Sequence, residues 1–208
     1  MDGTLTQTNQ LIYESFNHIA EKYLHKRLTP KEIIALFGPP EEEGVERMIG
    51  SQHIEMAMEE YYQFYQDRHN DLSSLYPGIK ELLELIKSKG FLVALFTGKG
   101  RRTTGITLRQ FGIKQYFDIV ITGDDVEHFK PSGDGIRKIM QRYSLLSDEV
   151  LMVGDAVADI TAARECGVPV ASVVWDSYGK EMVMKAKTDF LFHSVGEFRL
   201  WLEQTLLQ

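Results

Sequence analysis

Two aspartates four residues apart, Asp155 and Asp159, follow directly on the apolar run that ends at Val153 and Gly154. At that spacing both carboxylates lie on one face of a helix starting at a strand end, a set of hard oxygen donors suited to a divalent cation such as magnesium. Asp155 alone would read as an ordinary helix N-cap, but the pairing with Asp159 and with the aspartate of Asp2-Gly3-Thr4 favours a shared site. Thr97-Gly98 ends a second apolar run. There a hydroxyl and the amides after it either cap the next helix or hold a phosphate at its N-terminus. Lys130-Pro131 precedes a helical pattern; a lysine in that place is by default solvated, yet among carboxylates and a metal it would neutralise phosphate charge. Lys99, Arg101 and Arg102 set three cations against the dipole of the helix they open, which calls for a nearby anion.

The elements that must position these residues are legible from periodicity. From Leu11 to Tyr65 apolar residues recur at helical spacing, with no strand-like run. Thr29-Pro30-Lys31-Glu32 reads as a helix start with a capping box, and Gly38-Pro39-Pro40 breaks the helix that follows. The acidic run Glu41 to Glu43 reads as a solvated helix start, and Met56, Met58, Tyr61, Tyr62, Phe64 and Tyr65 as the apolar face of a further long helix. From Pro77 the pattern changes: a helix through Leu82 and Ile86, a strand over Phe91 to Phe96, then helix 101–111, strand 118–121, helix 133–143, strand 149–153, helix 157–165 and strand 169–174. A strand at Phe190 to Phe192 and a helix from Val195 to Leu207 complete the series. Short apolar strands alternating with helices predict an α/β fold, a doubly wound, Rossmann-like parallel sheet, with residues 9–76 as an all-helical cap inserted into a core of residues 1–8 and 77–208. In such sheets ligands bind beyond the carboxyl ends of the strands, where Thr97, Gly98 and Asp155 fall.

Composition bounds the function. The chain has 208 residues, 43% hydrophobic and 25% charged, as in ordinary globular proteins. A formal charge of -7 and no basic face argue against a nucleic-acid partner. Cys166 is the single cysteine, so no intrachain disulfide forms and a reducing cytoplasm fits. No apolar run reaches the roughly 18 residues of a membrane span, and no signal pattern opens the chain. The six histidines show no paired metal spacing, Lys22 and Lys26 read as solvated helix residues, and Trp175 and Asp176 border the end of a strand, with core packing the simpler reading for Trp175. Oligomeric state is not readable.

In order along the chain, MDGTLTQT, LFTGKG, KPS and VGDAVAD resemble the four motifs of the haloacid dehalogenase-like hydrolase superfamily, in its phosphatase branch. The helical insertion after the first motif is similar to the small α-helical cap of phosphoglycolate phosphatase-like members, and Gly38-Pro39-Pro40 to a cap-loop element of phosphoglycolate phosphatases and bacterial pyrophosphatases, beside its simpler reading as a helix breaker. The resemblance implies a magnesium-dependent phosphatase that hydrolyses a small phosphorylated metabolite through an aspartyl-phosphate. It implies Asp2 as the general acid/base whose backbone carbonyl helps bind Mg²⁺, Thr97 with the Gly98 amide on phosphate oxygens, and Lys130 on the phosphate and the attacking carboxylate. Lys99 joins the substrate-binding set, and Asp155 and Asp159 complete the metal site.

The same resemblance puts the nucleophilic aspartate one residue before Met1, at the end of an apolar strand that would lie between the strands ending at Phe96 and Val153. The expectation is therefore a central gap in the sheet, little turnover by the 208-residue chain, and an in-frame upstream segment ending in Asp. Alternatives are a catalytically inactive phosphate- and metal-binding regulatory protein, and a sugar phosphomutase, for which no cap signature is present.

Overall fold

The computed structural model describes residues 1–175 and 179–205, so Asp176 and the end of the last predicted helix lie outside the described residues. Strand β1 (Thr6–Gln7) leads into four helices: α1 (Asn9–Leu24), α2 (Pro30–Ile34), α3 (Glu41–Ile49) and α4 (Ile54–Leu72). Strand β2 (Ser74–Leu75) then pairs antiparallel with β1 and closes the excursion at its base. That two-residue pairing is too short to leave a periodic signal in the sequence. Helix α2 starts as expected: the Thr29 side chain accepts from the Glu32 N–H, Glu32 returns to the Thr29 N–H, and Pro30 takes the first turn. The four helices share a core of their own, in which Leu11, Phe16, Ile19, Ile33, Val45, Tyr61 and Tyr65 are buried. Met56, expected on that face, is instead exposed.

The second half alternates as predicted, with one further helix, α9, between the last two strands: α5 (Ile79–Ser88), β3 (Ala94–Phe96), α6 (Arg101–Gln110), β4 (Ile119–Ile121), α7 (Asp134–Tyr143), β5 (Met152–Gly154), α8 (Val157–Glu165), β6 (Val170–Val173), α9 (Lys180–Lys185), β7 (Phe190–Phe192) and α10 (Val195–Thr205). β3 begins three residues later than expected, since Phe91 and Leu92 are exposed and find no partner strand. Every pairing in this half is parallel: β3 with β4, and β5 with β6 and β6 with β7. Helices cover both faces. Leu82, Leu83, Phe198 and Leu202 of α5 and α10 pack on one side, and Ile136, Ile139, Ile160 and Ala163 of α7 and α8 on the other.

β3 and β5 do not pair, so the strands form two parallel groups rather than one continuous sheet. Between them lies a cavity of about 820 Å³, lined by Leu95 and Phe96 of β3, Met152 and Val153 of β5, and Leu83, Phe198 and Trp201 from the covering helices. Apolar residues dominate that lining, and the inner edges of β3 and β5 carry no ladder to one another across it.

Candidate active site

At the strand ends on one side of this gap, Asp2, Thr97, Gly98, Lys99, Lys130, Asp155 and Asp159 all line a single cavity of about 190 Å³. Its far wall belongs to the helical insertion, through Asn9, Ile12, Phe16, Leu36, Phe37, Gly38 and Pro39. Residues singled out from four separate stretches of sequence thus converge in the structure, and Gly38-Pro39 sits over the site as well as ending a helix.

The turn Met1–Thr6 delivers the first of them. Gly3 adopts φ 76°, a left-handed conformation, and a Cβ there would lie 2.2 Å from Oδ2 of Asp155. Thr4 donates its hydroxyl to Oδ1 of Asp155 at 2.8 Å. The carboxylate of Asp2 accepts from the Thr8 and Thr6 hydroxyls and stands 3.6 Å from Nζ of Lys99. Burial pushes the Asp2 carboxyl up, but the Lys99 ammonium and then the α-amino group of Met1 outweigh burial and hold it below the usual aspartate value. Gly3→Ala is accordingly expected to cost more than about 2 kcal/mol in urea unfolding, through strain and through displacement of Asp155. A loss under about 0.5 kcal/mol would show the turn to be tolerant.

Asp159 is engaged on both oxygens. Oδ2 accepts from the N–H groups of Asp155 at 3.1 Å and Ala156 at 3.0 Å, and Oδ1 pairs with Nζ of Lys130 at 2.8 Å. Burial raises its pKa, and Lys130 more than reverses that, leaving it below the usual value. The same Lys130 ammonium reaches the Phe96 carbonyl at 3.4 Å and lies over the Phe96 ring. Asp155 has the opposite balance: burial, and then the charge of Asp159, push its carboxyl up to about 6, with only partial relief from the α-amino group and Thr4. The α-amino group of Met1 is itself buried here, its pKa lowered by desolvation and by Lys130.

The anion called for by Lys99, Arg101 and Arg102 comes from the protein itself. Arg101 pairs with Asp125 at 2.6 Å, Arg102 with Glu59, and Lys99 with Asp2 and Glu41. Glu41, expected to be solvated, is buried: Oε2 accepts from the Gly100 N–H at 2.8 Å, and Oε1 from the Thr103 hydroxyl at 2.7 Å. The Gly38-Pro39-Pro40 turn aims the first residue of α3 at the N-terminus of α6, and nothing in a run of three glutamates marks which one turns inward. Tyr65 and His69 of α4 also reach α6, both at the Thr107 hydroxyl, so His69 is a satisfied interior histidine. Trp175 packs against Tyr76 in the core, as expected.

Among the described residues, no three His, Cys, Asp or Glu side chains form a ready metal cage, and no helix is long and apolar enough to cross a membrane. The family profile of the haloacid dehalogenase-like hydrolases matches residues 1–173. Pyrophosphatase PpaX of Bacillus anthracis is 31% identical over 202 residues, covering 97% of this chain and 93% of that protein. Among solved structures, a predicted phosphoglycolate phosphatase from Haemophilus somnus 129pt superposes with a TM-score of 0.82 at 21% identity, over 99% of this chain and 95% of that one. CbbY from Rhodobacter sphaeroides, in complex with phosphate, gives 0.82 at 21% over 95% and 93%. With the motif residues gathered at one cavity, a profile match over most of the chain and a relative 31% identical along nearly its full length, the chain belongs to the haloacid dehalogenase-like hydrolases.

Proposed function

We propose that the chain is a magnesium-dependent phosphatase acting on a small phosphorylated metabolite in a reducing cytoplasm, with residues 9–76 serving as a cap over the site. The observation that carries this reading is the single cavity of about 190 Å³ that joins the Asp2, Asp155 and Asp159 carboxylates to Thr97 and to the Lys99 and Lys130 ammonium groups. Its size suits a phosphoryl group with a short leaving group. The chemistry is phosphoryl transfer to a carboxylate followed by hydrolysis.

Asp2 would protonate the leaving oxygen and then take a proton from water. Its hydrogen bonds from Thr6 and Thr8 hold the carboxylate in one orientation for both steps. Thr97, buried at the end of β3, would bind a phosphate oxygen through its hydroxyl, and Lys130 would neutralise charge on the opposite side. The donor set fits magnesium, which uses one or two carboxylates and keeps several waters. Asp155 is buried and lines the cavity with Asp2, so these two would hold the ion. Asp159, engaged by Lys130 and two backbone amides, would orient Asp155. Bound magnesium would supply neutralisation of the phosphate's charge.

The test is a screen of small phosphate esters with magnesium, paired with thermal unfolding. Because Asp155 titrates higher in the folded chain than the unfolded value of about 3.9, its contribution to stability falls as pH rises through that window, and above about pH 6 the penalty of a charged buried carboxylate is complete. Magnesium relieves the penalty only where the carboxylate is charged. It should raise Tm by several degrees at about pH 7.5 and much less at about pH 5; an equal rise at both would argue against Asp155 as a ligand.

A further inference from the structure

One carboxylate of the helical segment lines the cavity on the wall formed by Ile12, Phe16, Leu36 and Phe37. Glu41 lines the cavity and is 8% exposed. Its two oxygens take the Gly100 N–H at the start of α6 and the Thr103 hydroxyl, and Oε1 lies 3.4 Å from Nζ of Lys99. Lys99 is itself buried, its side chain 6% exposed, and its ammonium lies over the Tyr65 ring at 4.7 Å and 3.6 Å from Asp2 without making a hydrogen bond. Burial works against that charge, yet Asp2, then Tyr65 and Glu41, hold it well above the ordinary lysine value.

A backbone N–H at a helix start, a hydroxyl and a buried ammonium together form an anion site. Here a carboxylate of the protein fills it. Lys99, Asp2 and Glu41 carry a net charge of −1, so this side of the cavity is closed to further negative charge. Resting on the phosphatase reading above, we propose that Glu41 is a specificity-determining residue that selects phosphate esters with small uncharged leaving groups and rejects those whose leaving group carries a second anion. A unit charge brought within a few ångströms of Glu41 meets no free cation, and at an effective dielectric of about 20 the repulsion corresponds to at least a tenfold loss of affinity.

The test is calorimetric binding of two non-hydrolysable probes to the 208-residue chain with magnesium: ethylphosphonate, with an uncharged tail, and phosphonoacetate, with a carboxylate tail. The unmodified chain should prefer ethylphosphonate by about tenfold or more. Glu41→Gln, which keeps the shape and frees Lys99, should turn the ratio toward phosphonoacetate by about tenfold or more. Thr103→Val, which removes one hydrogen bond to Glu41 and no charge, should leave the preference in place. Glu41→Ser is the second variant should the glutamine chain fold poorly, with the same reversal expected. A ratio unmoved by either Glu41 substitution, or moved equally by Thr103→Val, overturns the inference while leaving the phosphatase reading intact. Failure of the unmodified chain to bind ethylphosphonate or inorganic phosphate overturns that reading and the inference with it.

Discussion

An apolar strand of about five residues ending in aspartate, joined directly ahead of Met1, is expected to raise Tm by about 10 °C and to support magnesium-dependent ester hydrolysis that the same strand ending in asparagine does not. The stability argument starts from the cavity of about 820 Å³ between β3 and β5. Its walls are Leu95, Phe96, Met152, Val153 and Phe198, and apolar walls that face a void lose both dispersion contacts and burial. A strand there would ladder with the inner edges of β3 and β5, each of which already pairs in parallel with its other neighbour, β4 or β6. It would also turn the buried Met1 amine, whose charge burial and Lys130 oppose, into a neutral amide. A net gain of about 3 kcal/mol gives the stated shift for a chain of this size. The catalytic argument is separate: the added aspartate would stand next to Lys130 and opposite Asp2, as a phosphoryl acceptor must. The same extension ending in asparagine should keep the Tm gain and abolish turnover, while a polar extension of equal length should do neither. Differential scanning calorimetry and a phosphate-release assay read the two effects. An unchanged Tm with the apolar strand would mean that the gap closes by other means.

The division between legible and illegible features follows the range of the interactions. Local signals were sufficient where one element decides its own shape: Thr29, Pro30 and Glu32 satisfy the start of α2 within four residues, and the apolar runs at β4, β5 and β6 can be buried only as short strands. Asp155 and Asp159 were legible as a pair because their spacing is local, but they do not share a helix face as expected: Asp159 stands in the first turn of α8, and Asp155 in the turn before its N-cap Ala156. Their different tasks were not legible. Which carboxylate keeps its charge depends on Lys130, which comes from the loop before α7. Glu41 was misread for the same reason: its partners Gly100 and Thr103 lie some sixty positions along the chain, and a Glu-Glu-Glu run carries no periodicity. The basic start of α6 was read correctly as needing anions, but those anions are Asp125, Glu59, Glu41 and Asp2, contributed by four other elements of the fold.

This shared ownership of charge gives the second large effect. Lys130→Met is expected to destabilise the chain by about 3 kcal/mol and to remove measurable inorganic phosphate binding. Lys130 is the partner that holds Asp159 charged, and Asp159 in turn fixes the amides of Asp155 and Ala156; without the ammonium, two buried carboxylates four residues apart face each other uncompensated. Asp159→Asn should cost less, because its amide oxygen still accepts the two backbone N–H groups, and Lys130, 15% exposed, can turn toward solvent. The double variant Lys130→Met with Asp159→Asn should then be more stable than the sum of the single losses predicts by about 2 kcal/mol in urea unfolding, since each change removes what the other leaves stranded. Phosphate binding should not recover with stability, because the cation that faces the phosphate is still absent. If the single losses simply added, Lys130 and Asp159 would be two independent surface contacts, and the orientation of Asp155 would have to come from Thr4 and Gly3 alone.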